Sequence, residues 1–151
     1  MTPAPSYSTR LSRTIRASRE QLFSAWTEPE KVEGWWRMNQ PGWAFALANI
    51  DLRVGGRYRL GMTDPDGKLH VAVGEYREIE RPARLAFTWN WENPLDSVGD
   101  TLVTIEFRDT GENTTELVLT HERFTDPARA ASHERGWVQL FTLLEHLIEE
   151  E

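Results

Sequence analysis

Apolar and polar residues alternate with a period of two through the middle of the chain, then switch to a period of three to four near its end. Tyr58, Leu60 and Met62 alternate with Arg57 and Arg59. Leu85, Phe87, Trp89 and Trp91 alternate with Ala86, Thr88 and Asn90, and Val103, Ile105 and Phe107 with Thr104, Glu106 and Arg108. This is the period of strands with one buried face. Thr9 to Ile15 alternates more loosely and reads as a first strand, and residues 44–51 as a second. Leu69 to Ile79 reads as a longer strand in which Gly74 marks a bulge or bend. Leu117, Leu119 and His121 share one face of a last strand. Pro41-Gly42, Gly55-Gly56, Asp64-Pro65-Asp66-Gly67 and Gly111-Glu112-Asn113 supply the turns, and residues 92–100 a polar loop.

Three helices interrupt or follow the strands. Ser18, with Gln21 three residues on, is a capping box ahead of Leu22, Phe23 and Trp26. Pro29 opens a second short helix, at the position where a missing N–H costs nothing, with Val32, Trp35 and Trp36 as its apolar face. Trp137, Leu140, Phe141, Leu144, Leu147 and Ile148 recur at helical spacing. They predict a helix from about Pro127 to about 148, roughly 33 Å long at the standard rise.

Strands joined by short turns favour antiparallel pairing, and one apolar face per strand means one buried sheet face. The last helix must bury its stripe against that face. Seven strands make a sheet about 29 Å across, whereas a helix with its side chains is about 10–12 Å wide. The sheet must therefore curl, the short helices must close part of the remainder, and some apolar interior is left over for a ligand. The predicted class is α+β: a helix-grip domain over residues 8–151, preceded by a Pro- and Ser-rich flexible tail, 1–7.

Composition narrows the function. The 151 residues carry a net charge of −7 and no cysteine. The acidity argues against a nucleic-acid partner. The absence of cysteine excludes disulfides and thiolate chemistry and fits a reducing compartment, so the expected location is cytoplasmic. No run of about 18 apolar residues predicts a membrane span, and the first residues lack the apolar core of a signal peptide. The four histidines show no zinc spacing, so neither metal nor cofactor is expected. Seven tryptophans stand out, each either packing the core or lining a pocket.

Several blocks carry a resemblance. The segment from Ala17 through Trp26-Thr27-Glu28-Pro29-Glu30 to Trp35-Trp36 resembles the opening of the heat-shock-protein-90 ATPase activator homologue family, within the START/birch-pollen-allergen (SRPBCC) superfamily. Asp51-Leu52-Arg53-Val54-Gly55-Gly56-Arg57-Tyr58 is similar to its D-R-x-G-G signature. Gly74-Glu75-Tyr76 through Arg81-Pro82 and Leu85 to Trp89 looks like its G-E-x…P-x-R-L-x-x-T-W block, and His133 to Trp137 like its H-x-x-G-W helix. The resemblance covers about residues 9–148 and implies the same helix-grip fold. The superfamily it implies includes lipid carriers, hormone receptors, polyketide cyclases and chaperone regulators.

The candidate ligand-binding residues come from the inward faces. Trp89 and Trp91 lie on one strand face, with Tyr58 on another. Trp35 lies on the second short helix, and Trp137 and Phe141 on the long-helix stripe. His121 reads either as a polar anchor at the pocket wall or as a core histidine satisfied by a hydrogen bond. His133, one turn before Trp137, sits at the pocket mouth or in solvent. Glu75 is a pocket carboxylate if Gly74 shifts the register. His70 and His146 are assigned to the surface, and Arg57, Arg59 and Glu106 to the solvated face. Gly136 suggests close approach of the helix backbone to the sheet. No residue is assigned a catalytic role. The first functional reading is a protein, monomeric or a weak homodimer, that binds a small apolar or aromatic molecule in an internal cavity. The alternatives are a chaperone or stress-response protein-partner module and a polyketide cyclase/aromatase-like enzyme.

Overall fold

The computed structural model describes residues 5–150; residues 1–4 and 151, including most of the expected tail, lie outside it. The first strand, β1, runs Tyr7–Ile15, so it begins within the expected tail segment. Two helices follow, α1 (Arg19–Thr27) and α2 (Pro29–Val32). Six strands come next: β2 (Ala44–Ile50), β3 (Arg57–Thr63), β4 (Leu69–Glu80), β5 (Arg84–Trp91), β6 (Thr101–Gly111) and β7 (Thr114–Phe124). The chain ends in α3 (Pro127–Glu149). All seven strands pair antiparallel in one sheet, in the order β1-β7-β6-β5-β4-β3-β2.

The helix starts follow the sequence signals. The Ser18 hydroxyl accepts the Gln21 N–H at 3.1 Å, and the Gln21 side chain accepts the Ser18 N–H at 2.9 Å. This is a complete capping box. Asp126 caps α3 by accepting the Ala128 N–H, with Pro127 in the first turn. The helix α2 is shorter than expected and ends at Val32. Trp35 and Trp36 lie in the turn beyond it, yet both are buried with Val32. The Trp35 indole N–H donates to the Ala25 carbonyl at 2.9 Å, which ties that turn to α1.

The link from β1 to β2 must cross the whole concave face, because β1 and β2 are the two edges of the sheet. That crossing is made by α1, α2 and the segment 33–43. The helix α3 packs mainly on β1 and β7, toward one edge. The Arg13 guanidinium on β1 fixes it there, donating to the Thr142 hydroxyl at 3.0 Å. One side of the concave face is thus covered by α3, and the space beyond it is left to the crossing segment.

At one point of the sheet there is no room for a side chain. Gly74 on β4 pairs with Tyr58 on β3, and the Tyr58 hydroxyl reaches across it to the Thr88 carbonyl of β5 at 2.6 Å. A side chain at Gly74 would collide with that carbonyl. The register irregularity of β4 falls between Tyr76 and Glu78, after the glycine. Gly74 is therefore a point of close backbone approach and does not mark the bulge or bend expected of it.

Candidate functional site

The concave face is not completely filled. A cavity of about 240 Å³ remains between α3, β3–β5 and the segment after α2. The helix supplies Ser132, His133, Gly136, Trp137 and Leu140, spaced to form one helical stripe. Trp89 and Trp91 come from alternate positions of β5. Met62 and His70, direct cross-strand partners on β3 and β4, form another wall. Trp36, Met38 and Trp43 from the crossing segment close it. Five of the chain's seven tryptophans border this space.

Two tryptophan–histidine pairs stiffen the wall. The Trp137 indole N–H donates to His121 Nδ1 at 3.1 Å. An indole nitrogen only donates, so Nδ1 is unprotonated and Nε2 carries the proton. That Nε2–H donates to the Thr101 hydroxyl at 2.9 Å, which donates in turn to the Trp89 carbonyl. Likewise the Trp91 indole N–H donates to His133 Nε2 at 3.0 Å, and His133 Nδ1–H donates to the Arg129 carbonyl at 2.8 Å. The hydrogen-bond network thus assigns a neutral tautomer to both rings. Each has its acceptor nitrogen occupied by an indole.

Burial, with His133 a second cause, pushes the His121 imidazole down from its ordinary value to about 2. Burial also lowers His133, aided by the Arg129 charge and opposed by the bond to the Arg129 carbonyl. The unfolded chain protonates these rings near pH 6.5, as ordinary histidine does. Both folded values lie lower, so below about pH 6.5 the unfolded state binds more protons and stability falls with pH. The stabilisation is fully present above that pH. The expected loss from His121 alone at pH 5 is about 2 kcal/mol. Urea unfolding at pH 7 and pH 5 checks it: the drop should be clearly smaller in His121→Gln, and an equal drop would refute the assignment.

The sequence-derived residues divide. Trp89, Trp91, His133 and Trp137 border the cavity. Trp35, Tyr58, Glu75, His121 and Phe141 do not. Trp35 and Tyr58 are committed to the carbonyls of Ala25 and Thr88. Phe141 is fully buried beside Trp26. His121 is also fully buried, behind Trp89 and Trp137, and is the hydrogen-bonded core histidine of the two readings. Glu75 pairs with Arg77 on its own strand at 3.2 Å. Among the solvated assignments, Arg59 pairs with Glu92, Glu106 pairs with Arg84 and Arg108, and Arg57 and His146 are exposed.

Two readings are corrected. His70 is half-buried and lines the cavity, because β4 begins beneath Trp43, with ring centroids 5.6 Å apart. Gly136 does not mark close approach: beyond its own turn of the helix, a Cβ there would meet no atom within 4 Å. Its missing side chain leaves room in the cavity. Trp36 read as part of a helix face and Met38 and Trp43 carried no periodic signal, so nothing local joined the three as one wall on this irregular segment. Trp36 and Trp89 each carry a buried indole N–H without a hydrogen-bond partner. Among the described residues, no three His, Asp or Glu side chains converge as a metal site requires, and no helix is long and apolar enough to cross a membrane.

No curated protein matches the chain. Solved structures share the fold. A Chromobacterium violaceum protein superposes with a TM-score of 0.83 at 24% identity, covering 94% of this chain and 96% of its own. A Silicibacter pomeroyi protein titled AHSA1 gives 0.82 at 23%, covering 96% and 100%. A Nitrosomonas europaea protein gives 0.77 at 25%, covering 95% and 94%. These likenesses support the helix-grip arrangement of a curved antiparallel sheet around a long C-terminal helix. Residues 16–149, which take in α1, α2, strands β2–β7 and the gripping helix, match the model of the family described as Activator of Hsp90 ATPase homolog 1-like protein, and the chain belongs to that family.

Proposed function

We propose that the protein binds one small, mainly apolar aromatic molecule in the cavity beside α3. The observation that carries this reading is a void walled by tryptophan, methionine and leucine, with a glycine left open in the middle of a helix. Helix-interior glycine is about 1 kcal/mol less favourable than alanine. At Gly136 no packing contact offsets that cost, whereas an occupant of the cavity would. A dry apolar cavity of about 150 Å³ is enough to take up benzene. The 240 Å³ here suits one or two fused rings, and a drug-sized ligand would need about 300 Å³ or more.

The geometry favours binding over cyclase-like catalysis. Such a reaction needs an acid or base within reach of the substrate. The lone pairs of His121 and His133 are held by indoles, Glu75 lies off the cavity, and His70, the other imidazole at the wall, has no carboxyl group or second free imidazole among the lining residues to act with it. The same reading puts the protein in the cytoplasm, in keeping with its lack of cysteine.

Titration with 2-naphthol tests the proposal through intrinsic fluorescence, since the wall itself carries the tryptophans. A saturable change at micromolar concentrations is expected, equivalent to about 7–8 kcal/mol. Gly136→Leu should fill the space and abolish the response. Gly136→Ala should raise the unfolding free energy by about 0.4–1 kcal/mol while weakening binding. No saturable response in the wild type, or an unchanged affinity in Gly136→Leu, would overturn the reading.

A further inference from the structure

Three imidazoles stand in or behind the cavity wall, and they differ in what their acceptor nitrogen does. In His121 and His133 it receives an indole N–H, from Trp137 and Trp91, at 3.1 and 3.0 Å. His70 is bound differently. Its Nε2 lies 2.9 Å from Asp64 Oδ2. The other carboxylate oxygen, Oδ1, accepts the backbone N–H groups of Asp66 and Lys68, each at 2.9 Å. A carboxylate only accepts, so the proton sits on Nε2 and the neutral ring presents Nδ1 as an acceptor. Nδ1 has no hydrogen-bond partner among the described residues, nor is it among the sealed, unpartnered atoms of the interior. The hairpin turn thus holds a half-buried, oriented imidazole at the wall of an apolar space.

We propose that His70, oriented by Asp64, is the polar recognition point of the cavity and selects occupants that carry an O–H or N–H donor, such as naphthols, phenols and indoles. The proposal rests on the cavity being a binding site, as argued above. The protein supplies its own precedent: a bound indole or naphthol would do at His70 what Trp91 does at His133. Trp43, beside the His70 ring, would cover the same end of the occupant.

The test compares 2-naphthol with naphthalene, which has the same rings and no donor, on the full chain at about pH 8. Wild type should bind 2-naphthol about tenfold more tightly, the worth of one net hydrogen bond. His70→Phe should erase the preference, bringing the ratio of the two affinities to about one. Asp64→Asn gives a sharper readout. The two backbone N–H groups require an oxygen at the Oδ1 position, so the amide NH₂ must face His70 and donate to Nε2. The imidazole proton then moves to Nδ1, and the preference should pass from 2-naphthol to quinoline, an acceptor without a donor. Equal binding of 2-naphthol and naphthalene by wild type would overturn the proposal. So would a preference that survives His70→Phe or is unchanged in Asp64→Asn. If neither naphthalene nor 2-naphthol binds saturably, the cavity reading itself fails and this proposal falls with it. If both bind equally and Gly136→Leu blocks both, only the role of His70 is lost.

Discussion

Trp137→Ala should lower the unfolding free energy by about 3–5 kcal/mol, the range for truncating a buried aromatic. Trp137 is 2% exposed, and its ring packs at centroid distances of 5.0 Å from Trp89, 5.9 Å from Trp26 and 6.1 Å from Trp36. It joins the gripping helix to α1, to the turn after α2 and to the sheet, so no single element can move in to close the hole. The change also strips His121 Nδ1 of its donor, leaving a buried acceptor unpaired. For a domain whose whole stability is about 5–15 kcal/mol, this is a large share. The melting temperature should fall by roughly 10 °C or more. Urea denaturation measures the loss directly. Trp137→Phe, which keeps most of the ring but not the N–H, separates the packing share from the hydrogen-bond share. A midpoint for Trp137→Ala equal to that of the wild type would show that the helix does not sit where the structure has it.

Gly74→Ala should be comparably damaging although it adds only one methyl group. The atoms in its way are the Thr88 backbone carbonyl and the Tyr58 hydroxyl, 2.7 Å from the added Cβ. Neither is the flexible end of a side chain. To admit the methyl, β4 and β5 must part, or the Tyr58 hydroxyl must leave the Thr88 carbonyl. The latter leaves a buried phenol, whose pKa burial raises well above the ordinary value, without its acceptor. Overpacking commonly costs about 1–3 kcal/mol, and collision with fixed backbone belongs at or above the top of that range. Tyr58→Phe in the Gly74→Ala background should recover part of the loss, because it removes one of the two obstacles. A stable Gly74→Ala with a wild-type midpoint would contradict the register of β3, β4 and β5. The contrast with Gly136→Ala, expected to stabilise, is informative. Gly74 has no room for a side chain, and Gly136 has room that is left empty.

What could be read from the chain alone was most of what is local in origin. Period-two alternation marked the strands through Trp91, Phe107 and Leu119. Ser18 with Gln21 and Pro127 marked two helix starts, and the short turns implied a meander. The ordered blocks from Ala17 to Trp137 implied the family. Each of these signals depends on neighbours within a few residues, which sequence displays directly. Parity likewise told inward from outward, and Glu106 and Arg59 lie on the solvated side as their parity required. It could not tell which inward residues meet empty space. Phe141 and Trp137 share one helical stripe, yet Phe141 is packed against Trp26 and Trp137 borders the void. That difference arises because α3 lies toward β1 and β7 and leaves β3–β5 to be covered by a segment without periodicity. His70 looked like a surface residue because nothing near it in sequence announces Trp43 above it, and Gly136 looked like a contact because glycine fits crowding and vacancy alike. A cavity is the difference between the volume enclosed by several elements and the side chains that fill it. Only the assembled tertiary structure sets that difference.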